Sequence, residues 1–75
     1  MCPTIKKRGP NKYEVFLEGD EIQSCLTNKG DPDEQMRLDL SERVLKQDHT
    51  LAEARELCDR IINVVSADQL NQRNS

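Results

Sequence analysis

A chain of 75 residues with 11 Lys and Arg, 14 Asp and Glu and a formal charge of −3 is a single small, acidic, largely polar domain. At this length folding buries about 60 % of the surface that the unfolded chain exposes, so stability is marginal without a disulfide, a metal or a partner chain. With no Trp, one Tyr and one Phe the core is aliphatic, which argues against the deep, dry cavity of an enzyme and for a non-catalytic protein.

Residues 1–12 read as a basic flexible arm. Lys6, Lys7, Arg8 and Lys12 lie there without an acid, and Gly9-Pro10-Asn11 is a turn signal. Ile5 could begin a short additional strand. Residues 14–34 carry Glu14, Glu18, Asp20, Glu21, Asp31, Asp33 and Glu34 against Lys29 alone, a segregation of charge that steers partners.

From Tyr13 the pattern alternates. Tyr13, Val15 and Leu17 take one face, and Glu14, Phe16 and Glu18 the other. Gly19-Asp20 suits a two-residue type II′ loop, which pairs Leu17 with Ile22, Val15 with Ser24 and Tyr13 with Leu26 on one apolar side. The outer face would then gather Glu14, Phe16, Glu18, Glu21, Gln23 and Cys25. The expected fold is α+β: a β-hairpin at about 13–27, closed by Asn28-Lys29-Gly30, then an antiparallel two-helix hairpin. The domain spans 13–67 and a polar tail 68–75.

Both helices announce their starts. Asp31-Pro32-Asp33-Glu34 and Thr50-Leu51-Ala52-Glu53 place a capping side chain three residues before a glutamate, and Pro32 falls at the first helical position. The first helix is expected over 32–47, with Met36, Leu40 and Val44 at i, i+4 and i+8 and Leu38 and Leu45 broadening the face. Asp33/Arg37, Asp39/Arg43 and Glu42/Lys46 are acid-first i,i+4 pairs. The second is expected over 51–67, where Leu51, Ala54, Cys58, Ile61 and Val65 form a seam widened by Leu57, Ile62 and Val64. Leu57 and Ile61 are its central core positions. The surplus width at Ile62 and Val65, or an open hairpin edge, predicts a homodimer.

Chemistry-bearing groups are sparse. Cys2, Cys25, Cys58 and His49 lack both the short Cys and the short His spacings of a metal site. No glycine-rich phosphate loop is present, and no cofactor is expected. Three widely spaced cysteines without an apolar leader or membrane span point to free thiols in a reducing, cytoplasmic setting. Cys2 is the thiol nearest the cations of the arm, and Cys58 is expected in the core.

The run Ile5-Lys6-Lys7-Arg8-Gly9, followed by Asn11-Lys12-Tyr13-Glu14-Val15, resembles the opening of the arm-binding domain of phage-type tyrosine recombinases. Leu51-Ala52-Glu53-Ala54-Arg55-Glu56-Leu57 is similar to the helix that packs on the three-stranded sheet of that family. The likeness covers residues 4–17 and 51–57. It departs from the family at Glu18, Asp20 and Glu21, where the family is basic, and in the helical insertion before residue 51. It implies a sheet that enters the DNA major groove, with Lys6, Lys7, Arg8, Lys12 and Tyr13 at the contact.

Two function classes follow. The first is a small protein-binding module, a regulator or inhibitor of the kind found among phage and bacterial accessory proteins. Its expected surface is the acidic outer hairpin face, Glu14, Glu18 and Glu21 around Phe16, set against a host or cognate protein with a basic surface. The alternative is a small DNA-binding domain that uses the basic arm. No membrane partner is expected.

Overall fold

The strand that pairs with Tyr13–Phe16 lies upstream of it. In the computed structural model, which describes residues 3–26, 30 and 32–73 with side chains through residue 68, β1 (Thr4–Gly9) and β2 (Lys12–Phe16) form an antiparallel hairpin. The register pairs Thr4 with Phe16, Ile5 with Val15, Lys6 with Glu14 and Lys7 with Tyr13, and a bulge between Lys7 and Gly9 sets Arg8 out of pairing. The basic segment is therefore half of the sheet rather than a flexible arm. Gly9-Pro10-Asn11 makes its turn: proline supplies the first corner, and Asn11 takes the positive φ of 58° that the second requires.

The expected strand over 22–26 is instead a helix, α1 (Gly19–Cys25). The period explains the difference. Leu17, Glu21, Ser24 and Cys25 stand at i, i+4, i+7 and i+8, and all four are buried. The Glu21 carboxylate accepts the Glu18 N–H at 2.7 Å, so Glu18 and Glu21 close a capping box where a hairpin loop was expected. Thr27, Asn28, Lys29 and the expected cap Asp31 lie outside the described residues, as does Cys2.

The other helices follow their sequence signals with shifted ends. Helix α2 (Glu34–Val44) starts after Asp33, and Pro32 lies in the preceding turn. It stops three residues short of the expected end. There the Arg43 carbonyl accepts from the Lys46 N–H at 3.1 Å and the His49 ring at 2.6 Å, which turns the chain away. Helix α3 (Leu51–Arg73) begins with the expected box: Glu53 N–H donates to Thr50 Oγ1 at 3.1 Å, and Thr50 N–H to the Glu53 carboxylate. It continues past 67 because Ala67-Asp68-Gln69-Leu70 holds no breaker. The α+β class, a two-stranded hairpin followed by helices, is as expected.

The core lies between the inner face of the hairpin and α3. Val15, Leu17, Cys25, Leu40, Ala54, Leu57, Cys58, Ile61, Val64 and Val65 are buried together, with Ile5, Tyr13 and Val44 against them. Val65 thus packs within the chain and adds no surplus face. Two backbone bonds, Tyr13 N–H to His49 O at 2.9 Å and His49 N–H to Tyr13 O at 3.1 Å, tie the α2–α3 connection to β2. Arg37 of α2 links the helices: it donates to both carboxylate oxygens of Asp68 on α3, at 2.8 and 3.2 Å, and to the Ser24 carbonyl of α1.

Two outcomes follow from this packing. Truncating the fully buried Ile61, or Leu57, to Ala should cost about 2–5 kcal/mol in urea unfolding. Leu45→Ser at an 81 % exposed position should leave the midpoint nearly unchanged.

A further outcome concerns pH. The Arg37 hydrogen bonds hold the Asp68 carboxyl below its ordinary range. A carboxyl with a depressed folded pKa stabilises the fold fully above its unfolded value, and that contribution is lost as pH falls through the folded one. Stability should therefore drop below about pH 4, and Asp68→Asn should flatten that drop. Arg37→Met, which takes the opposite charge from Asp68 and leaves it the Ser24 hydroxyl, should cost about 1–3 kcal/mol at neutral pH.

Candidate functional site

Strand parity decides what the hairpin shows to solvent. Val15 points into the core, so Glu14 and Phe16 point out, together with their cross-strand partners Lys6 and Thr4. Lys12 shares the parity of Glu14, and the bulged Arg8 reaches the same face. Its guanidinium donates to both Glu14 carboxylate oxygens at 2.9 Å. This fork holds the Glu14 carboxyl below its usual range and raises Arg8. The Lys6 ammonium stands 4.1 Å from the centroid of the Phe16 ring. Among the described residues, Lys6, Lys7 and Lys12 make no salt bridge.

The acidic rim expected around Phe16 does not assemble. Glu14 is matched by Arg8. Glu21 is 2 % exposed and turned to the Glu18 backbone, and Glu18 has left the strand to cap α1. Cys25, expected on the same outer face, is buried in α1, and burial pushes its thiol pKa up, which makes it a poor nucleophile. Of the four expected partner-binding residues, Phe16 keeps its exposed place. Of the five in the nucleic-acid reading, Lys6, Arg8 and Lys12 share the outer face. Lys7 has the opposite parity, and Tyr13 is half-buried with its backbone bound to His49.

Sequence reasoning missed a groove beside Phe16. Phe16 and Leu17 at the end of β2, Ile22 and Leu26 from α1 and its cap, and Val44 and Leu45 at the end of α2 line about 450 Å³. Phe16, Ile22, Leu26 and Leu45 are all exposed. The signal that could have found it is helical. With Leu17, Glu21, Ser24 and Cys25 inside, Ile22 and Leu26 fall four apart on the opposite side of α1. A second, polar hollow beneath His49 is lined by Asp39, Glu42, Lys46, Glu53 and Glu56. Among the described residues, no three His, Cys, Asp or Glu side chains are grouped to hold a metal ion, and no helix is long and apolar enough to cross a membrane.

No protein-family model matches the chain, and no curated protein and no solved structure is significantly similar to it.

The whole outward arrangement hangs on the turn at Asn11. Asn11→Gly should be close to neutral, because glycine enters the positive-φ region freely. Asn11→Val should cost about 1–2 kcal/mol in thermal unfolding, since a β-branched residue is an outlier there.

Proposed function

We propose that this chain is a small non-catalytic protein-binding module, of regulator or inhibitor type, that seats a partner protein in the groove beside Phe16. The observation that supports this reading is the convergence on one groove of four of the exposed large apolar side chains, Phe16, Ile22, Leu26 and Leu45, whereas Met36, Leu38 and Leu51 are exposed outside it. Contiguous exposed apolar surface with a polar rim marks an interaction site. An aromatic ring at its edge suits a binding hot spot. Leaving these side chains in water forgoes burial free energy that a partner surface would recover on docking.

A second reading, nucleic-acid binding, is favoured by the outward Lys6, Arg8 and Lys12 on a two-stranded ribbon, an element of the width that a major groove admits. It agrees with the likeness to recombinase arm-binding domains. Against it, Arg8 is committed to Glu14, and the net charge of the chain is −3.

The test compares the tagged parent chain with the double variant Phe16→Ala, Leu45→Ser in affinity capture from a nuclease-treated lysate. A stoichiometric protein held by the parent and lost by the variant, with both chains melting within a few degrees of each other, is the expected result. Identical captures would overturn the reading. A labelled 20-base-pair duplex, titrated at about 50 and 200 mM salt, separates the second reading. Saturable binding that weakens steeply with salt and is lost in Lys6→Glu would put nucleic acid in place of protein.

A further inference from the structure

Resting on the binding-module reading, we propose that the occupant of the groove is an amphipathic helix of a partner protein whose polar face is acidic. The groove lies between three elements: the end of β2, α1 with its cap, and the end of α2. Strand addition is disfavoured on this side. Toward the start of β2 the edge that faces away from β1 is already occupied at Tyr13, whose backbone N–H and C=O are bound to His49. An extended peptide running along β2 would have to displace that pairing. A helix needs no backbone partner and presents apolar anchors at i, i+3, i+4 and i+7, which suit separate contacts with Phe16, Ile22, Leu26 and Leu45.

The charge of the rim selects the polar face of that helix. On the outer face of the hairpin stand Lys6, over the Phe16 ring, and, farther from the groove at the turn end, Lys12, neither in a salt bridge with a described residue. The carboxylate nearest to them, Glu14, is matched by Arg8 and lies low in its titration range. The other polar members of the lining, Ser41 and Gln47, are neutral. Glu21, which would have countered these cations, is turned inward. The outer face of the hairpin beside Phe16 is thus electropositive although the chain as a whole is acidic, and the exposed Glu18, after Leu17, stands at the α1 end of the groove. Glutamates flanking the apolar anchors would meet Lys6 and Lys12, speed the encounter at low salt and fix the orientation of the helix.

The probes are two synthetic peptides of about four helical turns with identical leucine anchors, one with glutamate and one with lysine on its polar face. Binding to the full chain is read by fluorescence anisotropy at low and high salt. At low salt the glutamate peptide should bind at least about tenfold more tightly, and the double variant Lys6→Glu, Lys12→Glu should erase that preference. Phe16→Ala and Leu45→Ser should each weaken both peptides, with the melting temperature recorded for every variant.

Equal affinity for the two peptides, still weakened by Phe16→Ala, would overturn the acidic partner and leave the groove reading intact. Peptide binding indifferent to Phe16→Ala and Leu45→Ser would overturn the groove reading itself. Two further results would each refute the proposal. One is a short DNA duplex that displaces the glutamate peptide at equal charge. The other is a dimer in sedimentation that Leu45→Ser converts to monomer, which would make the occupant a second copy of this chain. Failure of both peptides to bind would refute it as well.

Discussion

One guanidinium sets the positions of the helices. Helix α1 is seven residues long, too short to be stable by its own hydrogen bonds, and its last carbonyls have no partner within the helix. Helix α2 supplies the missing donors: Arg37 donates to Ser24 O, and the Ser41 hydroxyl to Cys25 O at 2.8 Å. Asp68 on α3 holds Arg37 in place through two parallel bonds. A lysine could not do this, since a single ammonium lacks the planar fork that grips a carboxylate while a third bond reaches elsewhere. Neither charge of this half-buried pair is left without an opposite charge. The far wall of the groove, Ile22 and Leu26, is thereby fixed to the C-terminal end of α2.

The legible parts of the fold were those in which local chemistry and period agreed. In α3, the Thr50–Glu53 box and the stripe through Leu57 and Ile61 point to the same helix, and the structure has it. For β2, the alternation of Tyr13, Val15 and Leu17 correctly places Val15 inside. The partner of β2 was not legible by the same means. Gly9-Pro10-Asn11 and Gly19-Asp20 are both turn signals flanking the same strand, and either lets Val15 face the core. What separates them is the downstream period. Residues 17–25 bury at helical intervals, and Glu18–Glu21 has the spacing of a capping box even though glutamate is an uncommon first member. A short helix whose stability comes from α2 and α3 leaves little trace in its own propensity.

Exchange of the strand partner also inverted the electrostatics of the outer face. Paired with 22–26, the strand Tyr13–Leu17 would have collected Glu18 and Glu21 around Phe16. Paired with Thr4–Gly9, it collects Lys6 and Arg8. Phe16 is outward in both cases because its parity follows from Val15. Charge on a sheet face is a property of register, so composition along one strand determines half of it. The chain is acidic overall, yet its ribbon is basic, since most of the acids decorate α1, α2 and α3.

The groove itself follows from the size of the chain. Helix α1 carries two demands: Leu17, Glu21, Ser24 and Cys25 face the core, and Ile22 and Leu26 face away. A larger protein would cover the second side with another layer. Here α3 is already occupied by the hairpin and by the buried side of α1, and α2 reaches the outer side with the polar Ser41, Val44 and the exposed Leu45. Phe16, Ile22 and Leu26, already half-buried, each forgo about half of the roughly 1.5–3 kcal/mol of full burial, and Leu45 most of it, together a large amount for a domain whose total stability is of the order of 5–15 kcal/mol. The chain tolerates this because Arg37 and Ser41 hold α1 by polar contacts, which do not require its outer face to be covered. Polar anchoring of the inner side and apolar exposure of the outer side are thus two consequences of one arrangement, and together they leave an apolar wall in water beside a basic ribbon.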